Sequence, residues 1–166
     1  MLNIRKAIPS DAEALHDLYH NHLTQYPPKE PQDMKVWREK IEGFFDNPLY
    51  HLLVGEAEGR VVSSVTLVIV ENLTHNQRPY GIIENVVTHS DFRGKHYATA
   101  LMNRASEIAK DMDCYKIMLM TGSKKASTLR FYENCGYTKD KTAFQKRFST
   151  YTSEDGKEET TPSSIS

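Results

Sequence analysis

A basic glycine turn, RGKHYATAL, holds the residues whose spacing points most directly to a binding chemistry. Arg93, Gly94 and Lys95 precede apolar residues at helical spacing, which places the glycine at the start of a helix. The unpaired amide hydrogens and the dipole of a helix start favour phosphate, and a glycine lets the backbone approach such a ligand closely. The turn lacks the residues of a P-loop and the spaced glycines of a dinucleotide fingerprint. Taken alone, it predicts either another kind of phosphate site or a solvated basic turn.

Two segments beside this turn carry titratable side chains within apolar patterns. The run GIIENVVTHS is rich in β-branched residues and predicts a central strand, on which Glu84 and Asn85 are neighbours. Regular alternation places these two side chains on opposite faces, so that one of them faces a cleft. A solvated position at the sheet edge is the alternative for Glu84. Downstream, the helical pattern of RFYENCGY contains Tyr132, which is either a reactive phenol or, with Phe131, part of an aromatic core.

Strand and helix signals along the chain predict the order βααβββαβαββ, an α/β class fold of the α+β mixed-sheet type with flanking helices. The predicted strands are 2–8, 51–57, 61–70, one beginning at Gly81, 115–121 and a broken pair within 137–148. The predicted helices are 11–24, 32–45, one beginning at Arg93, and 123–134. Ser10 is the predicted N-cap of the first helix. From residue 149 the sequence is rich in Ser, Thr, Glu and Asp, which predicts one folded domain at 1–148 and a disordered tail at 149–166.

Composition excludes several classes of function. The 166-residue chain has a formal net charge of −1, so no general basic surface for nucleic acid is expected. No apolar run approaches the roughly 18 residues of a membrane helix, and the N-terminus does not resemble a signal peptide, which predicts a cytoplasmic protein without a membrane partner. Cys114 and Cys135 are expected to be free thiols. His16 and His20 are four residues apart on a predicted helix, but no Asp, Glu or Cys constellation completes a ligand set, so no metal is expected.

Taken together, ENVVTHSDFRGKHYATALM and YKIMLMTGSKKASTLRFYENCGY resemble the GNAT superfamily of acyl-CoA-dependent N-acyltransferases, over most of residues 2–148. The family loop carries Arg or Gln, two variable residues, Gly, one variable residue and Gly or Ala. Residues 93–98 match this pattern except that His96 replaces the first glycine. The segments IIENVV, RGK, CYKIMLM and FYENCGY are most similar to the glucosamine 6-phosphate N-acetyltransferase branch. In that branch an aspartate often follows the glutamate, whereas this chain has Asn85, which can hydrogen-bond a substrate but cannot act as a base.

The resemblance implies transfer of an acetyl group from acetyl-CoA to a primary amine of a small molecule, by direct attack in a ternary complex. Tyr132 matches the family tyrosine near the coenzyme A sulfur and would protonate the departing thiolate. Because reference pKa values of phenols and thiols differ by only about 1.5 units, this transfer costs roughly 2 kcal/mol. Direct abstraction of an ammonium proton by Glu84 would be uphill by about 6 units, or roughly 8 kcal/mol. Orientation of a neutral amine, or relay through water, is therefore favoured for Glu84.

Cofactor contacts are implied for two segments. They contain Val86, Val87, Thr88, Arg93, Gly94, Lys95, His96, Tyr97, Ala98 and Thr99. The strand backbone is expected to hydrogen-bond the pantetheine arm, and the turn and helix start are expected to hold the pyrophosphate. Lys125 stands where many relatives have an asparagine that contacts coenzyme A.

Acceptor contacts are predicted for Asn85, His22 and Tyr26, the last two because they lie near the break after the first helix, a region that covers the cleft in relatives. The implied partners are a small-molecule amine and, by resemblance alone, a second copy of the chain in a homodimer formed through the terminal strands. Two alternatives stay open: a catalytically inactive acyl-CoA-binding sensor module, and a protein or peptide N-acetyltransferase. Acceptor choice depends on pocket shape, which one sequence does not fix.

Overall fold

A five-stranded mixed sheet forms the centre of the protein in a computed structural model that describes residues 1–25 and 27–148. The strands follow chain order across the sheet: β1 (Asn3–Lys6), β2 (Tyr50–Ala57), β3 (Arg60–Val70), β4 (Tyr80–Thr88) and β5 (Ile117–Leu119). Strands β1 to β4 pair antiparallel, whereas β5 joins β4 in parallel. The helices are α1 (Ala12–Leu18), α2 (Met34–Asp46), the short turn α3 (Thr74–Gln77), α4 (Tyr97–Asp111) and α5 (Ala126–Asn134). None of the described helices is long and apolar enough to cross a bilayer.

The face of the sheet that packs against α4 holds the larger core. Alternate residues of β3, Val65, Leu67 and Ile69, cluster with Leu101 and Met102 of the helix. All five are buried, which follows from the period of two in a strand and of 3.6 in a helix. Burial of each large apolar side chain stabilises the fold by about 1.5 to 3 kcal/mol. This core holds α4, and therefore the glycine turn before it, against the sheet.

Helices α1 and α2 cover the opposite face. Leu15 and Ile41 cluster there with Leu52 and Val54 of β2. After α1 the chain continues into a π-helical turn at Tyr19–Leu23. Such turns are rare and occur often at functional sites. The predicted helix over 11–24 is thus an α-helix that loosens in its last turn, beside β4.

Asp11, rather than the predicted Ser10, caps the first helical turn. Its Oδ2 accepts a hydrogen bond from the amide of Ile8 at 2.9 Å. The guanidinium of Arg5 donates to both carboxylate oxygens, at 2.6 and 2.9 Å, and also to Glu56. Asp11 is 6% exposed, so this bidentate pair lies largely out of water. The three charged residues join β1, β2 and the start of the first helix.

The predicted order of elements is confirmed from the first strand through α5, with boundaries that shift by up to a few residues. The strand pair predicted within 137–148 is wrong, because the described part of that segment contains no strand. Phe144 and Phe148 are 91% and 92% exposed. Without a buried face, nothing fixes the register of a strand in this charged segment. The predicted tail at 149–166 lies outside the described residues.

Candidate active site

Strands β4 and β5 separate halfway along β4, which opens a gap in the sheet. Their parallel pairing covers only residues 81–83, while β4 itself continues to Thr88. Within the described chain, the backbone of residues 84–88 therefore has no β5 partner on that side. Backbone amides and carbonyls need hydrogen-bond partners, so this edge can take up an extended ligand. It contains Val86, Val87 and Thr88, the segment that the sequence predicted for the pantetheine arm.

A β-bulge lies where the two strands separate. The pairing of β3 with β4 shifts between Ser64 and Thr66, and Asn85 has a φ of 52°. A bulge breaks the alternation of side chains. The regular alternation predicted for Glu84 and Asn85 does not hold, and both residues are exposed beside the gap.

The side chain of Ser63, on β3, contacts β4 beyond the bulge. Its hydroxyl donates to the carbonyl of Val87 at 2.8 Å and lies 2.8 Å from Oγ1 of Thr88. Ser63 is completely buried, so loss of these bonds would leave polar atoms unsatisfied. Sequence reasoning missed this residue, although two serines within the apolar run VVSSVTL are a visible signal.

Tyr132 lies on α5, with its ring packed edge-on against Phe131 and Tyr137 at centroid distances of 5.1 and 6.4 Å. Burial raises the pKa of the Tyr132 phenol, and the nearby Cys135 thiol and Glu84 carboxylate raise it further. The phenol is therefore fully protonated at neutral pH and can donate a proton. Glu84, exposed on β4, and Tyr132 on α5 stay the predicted catalytic residues.

A second tyrosine near Glu84 was not predicted from the sequence. Burial raises the pKa of Tyr50, and the charge of Glu84 is the next largest cause. Glu84 pairs across the sheet with Thr66, whose hydroxyl favours ionisation of the Tyr50 phenol by hydrogen bonding. Tyr19 is largely buried on the same side, with its hydroxyl 3.2 Å from Oγ of Ser64. Hydroxyl groups therefore line the sheet beside Glu84. Tyr50 opens β2, and alternation within that strand could have placed it there.

The glycine turn precedes α4 rather than forming its first residues. Gly94 has a φ of 77°, and His96, the N-cap of α4, has a φ of 60°. The first helical bond runs from the amide of Ala100 to the carbonyl of His96, at 3.0 Å. The amides of residues 97–99 therefore stand at the open end of the helix, where an anion is favoured. The helix predicted to begin at Arg93 begins at Tyr97 because the intervening backbone is not helical.

The basic side chains of the turn contact the protein as well as solvent. Arg93 donates from Nε to the carbonyl of Thr88 at 3.2 Å and from Nη2 to the carbonyl of His22 at 3.4 Å. Lys95 lies with Nζ 4.7 Å from the centre of the Phe92 ring. These contacts fix the path of the turn, while both cations keep the local potential positive.

The remaining cofactor candidates lie on α4 and α5. The Thr99 hydroxyl hydrogen-bonds the Cys135 thiol and favours its ionisation, but burial dominates and raises the pKa of Cys135. Thr99 lies in the first turn of α4, and its amide is one of those at the open helix start. Lys125 is exposed at the N-cap of α5, where its amide donates to Oγ of Ser123 at 3.3 Å.

His22 lies at the end of β4, beside the glycine turn. Its Nδ1 accepts a long hydrogen bond from the amide of Ser90, at 3.4 Å, and its ring centre is 4.1 Å from that of His89. Burial lowers the pKa of His22, and the nearby His89 lowers it further. Tyr26 lies outside the described residues. Acceptor contacts by His22 and Tyr26 therefore stay predictions.

A cavity of about 400 Å³ lies away from the gap between β4 and β5. Charged and polar side chains line it, including Arg5, Asp11, Asp17, Arg60 and His89. Glu84 and Tyr132 are not among its lining residues. Glu84 is instead exposed on the half of β4 that β5 leaves unpaired.

A mixed sheet whose parallel strands part beside a tyrosine and an anion-binding helix start defines an acetyl-CoA-dependent acetyltransferase of the GNAT class. Residues 13–137 match the model of the acetyltransferase (GNAT) family, and the chain belongs to that family.

The relatives of this chain include enzymes with a named acceptor. It is 30% identical over 138 residues to the glucosamine 6-phosphate N-acetyltransferase of Trypanosoma brucei brucei, covering 82% of this chain and 88% of the relative. A solved structure from Agrobacterium tumefaciens strain C58, named as an acetyltransferase, superimposes with a TM-score of 0.77 and 36% identity over 87% of this chain and 99% of that one. The crystal structure of the Arabidopsis thaliana glucosamine-6-phosphate N-acetyltransferase has a TM-score of 0.78 at 24% identity, over 90% and 99% of the two chains. That last likeness concerns the fold alone.

Proposed function

We propose that this enzyme transfers the acetyl group of acetyl-CoA to the primary amine of a small molecule, by direct attack in a ternary complex. The observation that supports the proposal is the second half of β4, which β5 leaves unpaired and on which Glu84 is exposed. Tyr132, on the helix that follows β5, keeps its phenol protonated. An acid and a hydrogen-bond acceptor on either side of a bound thioester are the two groups that aminolysis needs.

In the proposed reaction, the amine nitrogen attacks the thioester carbonyl carbon and forms a tetrahedral intermediate. Glu84 orients the amine and accepts its surplus proton through a water molecule. The carbon–sulfur bond then breaks, and Tyr132 donates its phenolic proton to the departing thiolate. Release of the proton from Glu84 to solvent and protonation of the tyrosinate from solvent restore the enzyme. At reference pKa values the transfer from the phenol to the thiolate costs about 2 kcal/mol, and the raised pKa of Tyr132 adds to that cost.

The cofactor would run along β4 toward α4. The pantetheine arm would bond to the free backbone edge at Val86, Val87 and Thr88, and the pyrophosphate would meet the amides at the start of α4. A main-chain cradle of this kind needs no particular side chain at His96. Lys125, exposed at the start of α5, would add a positive charge.

An amino sugar phosphate is the first acceptor to test. Support comes from the relatives at about 30% identity that are named for glucosamine 6-phosphate. Asn85, exposed at the bulge beside Glu84, would hydrogen-bond the acceptor in place of the aspartate that is frequent in that branch.

The test measures acetyl-CoA-dependent thiol release with a panel that contains glucosamine 6-phosphate, aminophosphonates, polyamines, aminoglycosides and short peptides. Tyr132→Phe is expected to lower kcat at least about tenfold and to leave acetyl-CoA affinity within about twofold, because the phenol acts only on the leaving group. Tyr115→Phe is the matched control, since Tyr115 lies at the other end of the sheet, where its amide bonds to Pro79.

Release with peptides alone would assign the enzyme to protein acetylation. Acetyl-CoA binding without release for any amine would favour the sensor module. Equal turnover by Tyr132→Phe and the native enzyme would remove the acid role from this residue.

Three further statements remain predictions from the sequence: cytoplasmic location, a single domain at 1–148 with a separate tail at 149–166, and a homodimer. The homodimer is supported by the outer edge of β5, which pairs with no other strand in the described part of the chain.

A further inference from the structure

Three side chains from distant parts of the sequence converge at the end of β4. Asp17 of α1, His22 of the π-helical turn and His89, which follows β4, each present one donor atom, and these atoms lie within 4.8 Å of one another. Nε2 of His22 is 3.9 Å from Oδ2 of Asp17. The two imidazoles are largely shielded, with side-chain exposures of 13% and 15%, whereas Asp17 is half exposed. The site is therefore shielded on the imidazole side and open to solvent on the carboxylate side.

Hydrogen bonds to neighbouring groups fix the orientation of the three side chains. Asn21 donates to Oδ1 of Asp17 at 2.7 Å, which orients the carboxylate and leaves Oδ2 toward His22. Nδ1 of His22 and Nδ1 of His89 each accept a hydrogen bond from a backbone amide, that of Ser90 and that of Asp91. Without a metal, the proton of each neutral imidazole therefore lies on Nε2. Metal-binding histidines donate their other nitrogen to an acceptor. The Asp91 carboxylate, 3.9 Å from Nδ1 of His89, is placed to accept that proton.

From this geometry we propose that Asp17, His22 and His89 bind a divalent transition-metal ion, with Zn²⁺ as the best match. Two imidazoles and one carboxylate suit such ions, which hold their ligands at about 2.0 to 2.2 Å and about 3.4 Å from one another in a tetrahedral site. The donor atoms are already close to that spacing and need movements of only about 1 Å. Binding at Nε2 moves the proton of each imidazole to Nδ1 and gives up the contacts with the amides of Ser90 and Asp91, at 3.4 and 3.2 Å. Water would occupy the fourth position.

A metal ion would reach the site through a cavity, and it would join separate elements of the fold there. Asp17 and His89 also line the cavity of about 400 Å³, which connects the cluster with solvent. A bound ion would join α1 and the π-helical turn to the connection between β4 and α4. Arg93 already spans the same junction through the carbonyls of Thr88 and His22. The ion would therefore stabilise the backbone that leads into the glycine turn.

The cluster was invisible in the sequence. His16 and His20, the pair with metal-like spacing, stack on each other at 5.3 Å, and His16 also packs against Trp37. The proposed ligands come instead from three separate elements. The inference does not depend on the proposed reaction.

The experiment titrates metal-free full-length protein with Zn²⁺ by calorimetry and with Co²⁺ by absorption spectroscopy, without acetyl-CoA. We expect one ion per chain, a visible Co²⁺ band typical of tetrahedral sites, and a higher Tm in the presence of Zn²⁺. His89→Ala and Asp17→Asn should each weaken binding at least about tenfold. The half-exposed Asp17 makes its variant the one expected to fold normally, which circular dichroism checks.

A double variant, His16→Gln with His20→Gln, is the matched control and should bind both ions as the native protein does. No saturable binding of either ion to the native chain would overturn the proposal. So would equal affinity in folded Asp17→Asn, or loss of binding in the control alone.

Discussion

Two residues with left-handed backbone mark the ends of the proposed cofactor path. Asn85 lies at the bulge where β4 leaves β5, and His96 caps α4. Asparagine tolerates this conformation better than most residues, whereas histidine at a position where the family has glycine holds its backbone as glycine would. Such strain persists where the surrounding structure determines it and concentrates at functional sites. The departure from the family motif at His96 therefore changes the side chain, while the backbone has a conformation that glycine would also adopt.

Changing His96 tests this interpretation at the scale of one residue. A left-handed conformation costs a non-glycine residue about 1 to 2 kcal/mol. Glycine removes that strain but loses about 0.4 to 1 kcal/mol through greater freedom of the unfolded chain. We expect His96→Gly to keep or raise the free energy of unfolding in urea, by up to about 1 kcal/mol. His96→Val should lower it by about 1 kcal/mol or more, because β-branched side chains fit this conformation worst.

His96→Ala is the control, since alanine keeps Cβ but removes the imidazole. It should match the native protein if the ring makes no essential contact. A His96→Gly variant less stable than His96→Ala would show that the cap is not strained.

At the scale of elements, the gap depends on how β3 holds β4 beyond the bulge. Ser63 bonds to the carbonyl of Val87 on one side, and Ser64 donates to the carbonyl of Leu53 at 3.1 Å on the other. Both serines are completely buried. Both residues pair with β4 through the backbone, but only the hydroxyl of Ser63 bonds to the strand that would carry the pantetheine arm.

The two serines therefore form a matched pair for mutation. Ser63→Ala and Ser64→Ala should each lower the free energy of unfolding by about 1 to 3 kcal/mol, because a buried carbonyl loses its partner. Ser63→Ala alone should raise the Kd for acetyl-CoA, by about threefold or more, since it loosens the backbone at residues 86–88. Calorimetric titration with acetyl-CoA, in the absence of an amine, measures the difference. Equal affinities in the two variants would mean that β4 does not depend on Ser63 for its path.

Local pattern predicted most of the elements, because strands and helices with one buried face show it in their spacing. The alternation of Val65, Leu67 and Ile69 is one example, and it also identifies the face that packs on α4. Choosing Glu84 and Tyr132 as the catalytic candidates required the family resemblance as well, because neither residue type alone indicates acyl transfer.

Features set by backbone angles or by distant contacts could not be predicted in this way. The bulge at Asn85 and the start of α4 at Tyr97 depend on left-handed residues, which leave no periodic signal. Asp11 binds Arg5 and caps the helix in place of Ser10, and that choice depends on where β1 ends. Asp17 and His89 are far apart in the sequence and come close only in the folded structure.

At the scale of the whole molecule, the sheet has one open edge next to the site. Strand β5 forms that edge in the described chain. The described segment after α5 contains no strand that could pair with β5. An unpaired edge exposes amides and carbonyls that can pair with another chain. Phe144 and Phe148, almost fully exposed in the following segment, add apolar surface. The homodimer stays a prediction, with the edge of β5 and the C-terminal segment as its interface in place of the terminal strands that the resemblance implied.

Light scattering coupled to size exclusion should therefore give a mass of twice 19.0 kDa. The Phe144→Ser variant is expected to shift toward monomer. Burial of one phenylalanine contributes about 1.5 to 3 kcal/mol, and its loss weakens dimer affinity at least about tenfold. Leu73→Ser is the control, since Leu73 is 85% exposed on the β3–β4 connection, away from the C-terminal segment. A native monomer at micromolar concentration would rule out the dimer. Dissociation by Leu73→Ser and not by Phe144→Ser would move the interface from the edge of β5 to that connection.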